Sequence, residues 1–62
     1  MLSPKSVDGV LEVLFEQGRQ LEKLHHYNEA LEKYKLALKR DPKNVYGFYR
    51  RGIVKAALGD YE

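Results

Sequence analysis

Residues 11–44 read LEVLFEQGRQLEKLHHYNEALEKYKLALKRDPKN, and residues 45–62 continue VYGFYRRGIVKAALGDYE. At an offset of 34 residues the second stretch repeats apolar, glycine and aromatic positions of the first, with Phe48 on Leu14, Gly52 on Gly18, Leu58 on Leu24 and Tyr61 on Tyr27. A period of about 34 residues is typical of solenoids in which helix-turn-helix units bury their apolar faces against one another. The repeat therefore predicts a stacked helical scaffold.

The first predicted helix begins near Ser6 or Asp8, because either side chain can accept hydrogen bonds from the free N–H groups at a helix start. It ends around His25. Its apolar or small residues recur three or four positions apart, as expected for one face of a helix. They are Leu11, Leu14, Gly18, Leu21 and Leu24.

Asn28 is expected to cap a second helix, and Asp41 with Pro42 to end it, because the residue before a proline avoids helical angles. The apolar face of this helix comprises Ala30, Leu31, Tyr34, Ala37 and Leu38. Asn44 is then expected to cap a third helix that ends near Leu58 and Gly59. Its apolar side comprises Val45, Phe48, Tyr49, Gly52, Ile53 and Ala56.

Two glycines inside predicted helices indicate close helix packing, since each costs about 1 kcal/mol relative to alanine. A ring from the following helix, either Tyr34 or Tyr27, is expected to lie against the backbone of Gly18. Gly52 would receive a side chain of a fourth helix in the same way.

This pattern resembles the tetratricopeptide repeat family, with a complete repeat over residues 11–44 and the first helix and turn of another over residues 45–62. The matching positions are Leu14, Gly18, Leu24, Tyr27, Ala30, Tyr34, Ala37, Pro42, Phe48, Gly52 and Leu58. The family usually has leucine at the positions of Gln17 and Arg51, and often tyrosine at those of Leu21 and Lys55, which loosens the expected packing. The resemblance implies an all-α fragment of a right-handed solenoid, with three antiparallel helices and a partly helical lead-in over residues 1–10.

The resemblance also implies a non-enzymatic scaffold that holds a peptide or partner helix in a concave groove lined by the first helix of each repeat. The groove positions are Glu12, Phe15, Glu16, Arg19, Glu22 and Lys23, followed by Tyr46, Tyr49, Arg50, Ile53 and Ala56. One subgroup of the family grips the C-terminal carboxylate of chaperones with a lysine and two asparagines. Phe15, Arg19 and Arg50 stand at those places, and because two arginines can bind a carboxylate, a co-chaperone is a lesser alternative.

A structural element that associates with itself is the alternative from a different functional class. A third helix without a fourth leaves an apolar stripe uncovered, and such patches mark association sites. The stripe comprises Phe48, Ile53, Ala57 and Leu58. A homodimer through the third helix would cover it.

Composition argues against several other functions. The 11 basic and 9 acidic residues give a net charge of only +2, which indicates a solvated helical surface rather than a nucleic-acid site. There is no cysteine, and the adjacent His25 and His26 would point about 100° apart on a helix, so we expect no metal, cofactor or catalytic group. No apolar run approaches the ~20 residues of a membrane span. A cysteine-free chain suits a reducing compartment, so the predicted location is cytoplasmic.

Overall fold

The structure, a computed structural model, describes residues 9–59, which form three α-helices. Helix α1 spans Gly9–Lys23, α2 spans Tyr27–Arg40 and α3 spans Val45–Ala57. Helix α2 packs against both α1 and α3, and short turns join the helices. The prediction of an all-α helix-turn-helix fold is confirmed. The proposed capping residues Ser6 and Asp8 lie outside the described residues.

The core lies along α2, where small residues surround one large ring. Tyr34 is completely buried, and Ala30 and Ala37 lie about one turn before and after it on the same helix face. Phe15 of α1 and Val54 of α3 complete the buried cluster from either side. The partly buried side chains packed against this cluster are Leu11, Leu14, Leu21, Tyr27 and Leu31.

Glycines allow α2 to approach both of its neighbours closely. A Cβ on Gly18 would collide with Cε1 of Tyr34 and lie 2.6 Å from its Cζ atom. The expected ring against Gly18 is therefore that of Tyr34, and not Tyr27. A Cβ on Gly47 would lie 2.8 Å from Cδ2 of Leu38, a second close approach that the sequence analysis did not single out.

The turn between α1 and α2 differs from the prediction. The backbone N–H of His25 donates to the carbonyl of Glu22 and that of His26 to the carbonyl of Leu21, while His25 adopts a left-handed φ of 63°. This is the hydrogen-bond pattern of a Schellman motif, which reverses the chain tightly. Helix α2 therefore already begins at Tyr27, with His26 as its N-cap and no side-chain cap hydrogen bond. The prediction of Asn28 as the cap is wrong, because Asn28 lies within the first turn of α2.

The second turn follows the prediction. Helix α2 ends at Arg40, immediately before Asp41 and Pro42. Asn44 is the N-cap of α3, and its Oδ1 accepts a hydrogen bond of 2.7 Å from the backbone N–H of Gly47. Its Nδ2 also donates to Oδ2 of Asp41 at 3.1 Å, which ties the cap to the preceding turn.

Three of the matching apolar positions are exposed in the described residues. Leu24 follows the end of α1 and lies in the turn, so it does not extend the buried stripe as expected. Phe48 and Leu58 are exposed on and just after α3. None of the helices within residues 9–59 is long and apolar enough to cross a membrane.

Candidate interaction surface

Side chains of α1 and α3 meet directly, although α2 separates these helices in sequence. Nη1 of Arg19 donates a hydrogen bond of 3.0 Å to the hydroxyl of Tyr46. Nη2 of Arg50 donates one of 2.7 Å to Oε2 of Glu22. These four residues, which we call the α1–α3 surface, were all predicted to line the groove from the first helix of a repeat. The fold therefore brings the two predicted halves of the groove together.

Glu22 is the centre of the more buried part of this surface. Its Oε2 accepts from both Arg50 and the hydroxyl of Tyr34, and the side chains of Glu22 and Arg50 are only 13% and 20% exposed. The guanidinium carbon of Arg50 lies 6.0 Å and 5.9 Å from the ring centroids of Tyr34 and Tyr46, within the range of cation–π attraction. Arg50 is thus held by a carboxylate and two rings of its own chain.

The protonation of this cluster follows from its burial and hydrogen bonds. Burial raises the pKa of Tyr34 to about 12, and the hydrogen bond to Glu22 acts in the same direction. Burial opposes the charge on Arg50, but hydrogen bonds to Glu22 and Tyr34 outweigh it and raise the pKa of Arg50. The Nε of Arg50 is buried and has no hydrogen-bond partner among the described residues. Tyr34 is therefore neutral and Arg50 charged at neutral pH.

Arg19 lies in the more open part of the surface. It forms an ion pair of 2.6 Å with Glu16, and Nε2 of Gln20 donates to the same carboxylate at 2.9 Å. The hydrogen bonds from Gln20 and Arg19 lower the pKa of Glu16, and those to Glu16 and Tyr46 raise the pKa of Arg19. Because this pair is solvent-exposed, its net strength is small.

Phe15 does not match the expectation of a groove-lining ligand anchor. Its side chain is buried in the core, because α1 turns it toward α2. Its ring packs edge-on against Tyr46 with a centroid separation of 4.9 Å and an interplanar angle of 77°. Phe15 therefore packs against Tyr46 and exposes little surface to a ligand.

The remaining predicted groove residues lie outside the contacts between α1 and α3. They are exposed and comprise Glu12, Lys23, Tyr49, Ile53 and Ala56. Sequence reasoning placed Tyr34 in the core and missed the bond from its hydroxyl to Glu22. No local signal marks that bond, since Glu22 and Tyr34 lie on different helices and twelve positions apart.

Two other depressions lie away from these residues. An open depression of about 380 Å³ between α1 and α2 is lined by Val10, Leu14, Leu36, Lys39 and Arg40. Another, of about 350 Å³, lies at the first turn and is lined by His25, His26, Tyr27, Asn28 and Glu29. The two histidines have separate partners, because the ring of His25 stacks on Tyr27 at 5.5 Å while Nδ1 of His26 lies 3.3 Å from Glu29.

Comparison with known protein families identifies a match. The sequence model described as the tetratricopeptide repeat matches residues 11–44, which include α1, α2 and the turn that leads into α3. No curated protein and no solved structure gives a significant match.

Proposed function

Because the chain belongs to the tetratricopeptide repeat family, we propose that it is a non-catalytic protein–protein interaction module that binds a peptide or partner helix across the α1–α3 surface. The contact of Arg19 with Tyr46 is the observation that carries this proposal. It places an accessible cation beside a half-exposed ring at the junction of two helices. Aromatic and arginine side chains are the residues that most often dominate binding energy at protein interfaces.

The chemistry of the surface favours a ligand with one apolar and one acidic feature. Tyr46 and the exposed Ile53, which lies about two turns further along α3, offer an apolar contact. Arg19 offers a bidentate partner for a carboxylate that displaces Glu16. Helices and extended peptides both bind in this way, through side-chain anchors at regular spacing.

A selection from a random peptide library displayed on phage tests this proposal. The affinity of a selected peptide is measured by calorimetry for the parent, Ile53→Ser and Arg19→Ala. Each substitution is expected to weaken binding about tenfold, which corresponds to about 1.4 kcal/mol. The control Lys35→Ala changes an exposed side chain of α2 and should leave the affinity unchanged. Parental affinity in Arg19→Ala, with normal helicity, would remove the α1–α3 surface from the proposal, and parental affinity in Ile53→Ser would remove the apolar contact at Ile53.

The chaperone-tail alternative is the weaker form of this proposal. It requires Arg19 and Arg50 to receive one carboxylate together. The guanidinium of Arg50 already binds the largely buried Glu22, so a ligand carboxylate would have to compete with an internal ion pair. Binding of a peptide with a free C-terminal carboxylate, and loss of binding when that carboxylate is amidated, would favour this alternative.

Self-association through α3 is the second candidate function. The exposure of Phe48, Ile53, Ala57 and Leu58 favours it, since these side chains leave apolar area in water. Sedimentation equilibrium over a wide concentration range distinguishes the two functions. A dimer that Ile53→Arg abolishes would support self-association, and a constant monomer mass would remove it.

A further inference from the structure

The face with which α3 packs against the first two helices has a counterpart on α1, and the two faces differ in chemistry. On α3 this face is formed by Gly47, Arg50 and Val54. The 34-residue offset between the two repeats gives the equivalent residues of α1, which we call the outer face of α1 and which are Val13, Glu16 and Gln20. An α2-type helix is defined here as one that would pack on the outer face of α1 as α2 packs on α3.

Val13 is the first residue that is incompatible with such a helix. Helix α2 approaches α3 closely at Gly47, where a Cβ would lie 2.8 Å from Cδ2 and 3.1 Å from Cγ of Leu38. Valine at the equivalent position of α1 carries a Cβ and two further methyl groups. Because packed side chains have almost no free space between them, an α2-type helix cannot approach α1 at Val13 as closely as α2 approaches Gly47.

Gln20 is the second incompatible residue. Its counterpart Val54 is completely buried in the core cluster beside Tyr34. Glutamine at such a position would bury an amide among apolar groups, which is unfavourable unless each polar atom gains a partner. On α1 the side chain of Gln20 is exposed, and its Nε2 donates a hydrogen bond of 2.9 Å to the carboxylate of Glu16. The polar groups of the outer face are therefore satisfied by one another and by solvent.

Glu16 reverses the charge of the equivalent position. Its counterpart Arg50 donates a hydrogen bond of 2.7 Å to Glu22 of the preceding first helix. A repeat of the same kind placed before α1 would bring its own glutamate against Glu16, so that a carboxylate would face a carboxylate. Hydrogen bonds from Gln20 and Arg19 lower the pKa of Glu16, which is therefore charged at neutral pH. Like charges brought together at an interface oppose its formation.

We propose that the outer face of α1 is an end cap, which faces solvent and does not receive an α2-type helix, whether from another repeat or from a second copy of this chain. Terminal repeats of solenoids need such a polar outer face for solubility. The residue types on the face carry this assignment, and the position of α1 in the sequence does not. Repeats then stack only on the α3 side, and α1 forms the edge of the α1–α3 surface. The inference is independent of the proposed function, because no ligand contact enters it.

A tandem protein tests the end cap directly. A second copy of residues 11–44 is inserted between residues 10 and 11 of the full chain, so that α2 of the first copy leads into α1 of the second through the native turn. Thermal unfolding, monitored by circular dichroism, should give the melting temperature of the parent, because the new junction adds no favourable interface. Replacing the outer face in the second copy by the residues of α3, with Val13→Gly, Glu16→Arg and Gln20→Val, should raise it by about 5 °C or more.

The same three substitutions in the parent chain are the matched control and should not raise its melting temperature. An unsubstituted tandem protein that melts about 5 °C or more above the parent would overturn the proposal. A substituted tandem protein that melts no higher than the unsubstituted one would overturn it as well.

The reverse exchange tests the same reasoning in the full chain. Gly47→Val and Val54→Gln transfer residues of the outer face to α3, and each should lower the melting temperature by about 5 °C or more. Val13→Ala on α1 is the control and should change it by no more than about 2 °C, because the side chain is exposed. Parental melting temperatures in both α3 variants would mean that valine and glutamine do not block this packing, which would contradict the proposal.

Discussion

At the scale of single residues, Tyr34 connects the packing of the core with the polar surface. Its ring occupies the space beside Gly18, and its hydroxyl donates to Glu22, which also binds Arg50. A ring against Gly18 could be predicted from sequence, because a glycine inside a helix indicates close packing, but the choice between Tyr34 and Tyr27 required the structure. The hydroxyl contact could not, because its carboxylate acceptor belongs to another helix and three helices together create the site.

The two helical glycines should respond oppositely to the same substitution. Gly18→Ala places a methyl group against the ring of Tyr34, so overpacking of about 1–3 kcal/mol should exceed the helix-propensity gain of about 1 kcal/mol. Gly52→Ala meets open space and should raise the free energy of unfolding by up to about 1 kcal/mol. Urea denaturation, monitored by circular dichroism, measures the free energy of unfolding of both variants. A shift of the two variants in the same direction would contradict the packing described for Gly18.

Tyr34 should lose its proton at a higher pH than a tyrosine of ordinary pKa. Burial, with the bond to Glu22, raises its pKa to about 12 from the ordinary value of about 10. A pKa raised by folding means that the neutral ring contributes stability below about pH 10, and that this contribution is lost as the pH rises to about 12. The pH dependence of the tyrosinate absorbance in the near ultraviolet, compared between the parent and Tyr34→Phe, measures the pKa of Tyr34. A titration of Tyr34 near the ordinary pKa of about 10, seen as the difference between the parent and Tyr34→Phe, would contradict the prediction.

At the scale of the helices, the turns show what local sequence could and could not specify. Asp41, Pro42 and Asn44 act within a few residues of one another, so the end of α2 and the cap of α3 were predicted correctly. The first turn depends on the left-handed conformation of His25, which histidine adopts less readily than glycine or asparagine. The sequence carried no glycine there to indicate a Schellman motif. Asn28 was therefore mistaken for the cap.

The two asparagines give a direct test of this difference. Asn44→Ala removes the hydrogen bond to the N–H of Gly47 and should lower the free energy of unfolding by about 1 kcal/mol. Asn28→Ala alters an exposed side chain inside the first turn of α2 and should change it by no more than about 0.5 kcal/mol. Thermal and urea unfolding measure both variants. A larger loss for Asn28→Ala than for Asn44→Ala would mean that the helix starts are assigned wrongly.

At the scale of the whole molecule, the repeat determines which surfaces are available for binding. The offset between residues 11–44 and 45–62 predicted the three-helix fold and the family. The family resemblance implied groove positions on α1 and α3, but the contacts of Arg19 with Tyr46 and of Glu22 with Arg50 join positions 27 and 28 apart and could not be predicted from local sequence. Phe15 and Tyr49 occupy equivalent positions at this offset. Phe15 is buried because it packs against α2, whereas Tyr49 is exposed because no described helix covers the same face of α3.

The most direct test of the proposed interaction module is a map of amide chemical shifts, recorded by two-dimensional NMR while a library-selected peptide is titrated into the chain. We expect the largest shifts at Arg19, Tyr46 and Ile53, with little change on the outer side of α2 around Lys35. Shifts confined to the outer side of α2 or to the first turn would contradict the assignment of binding to the α1–α3 surface.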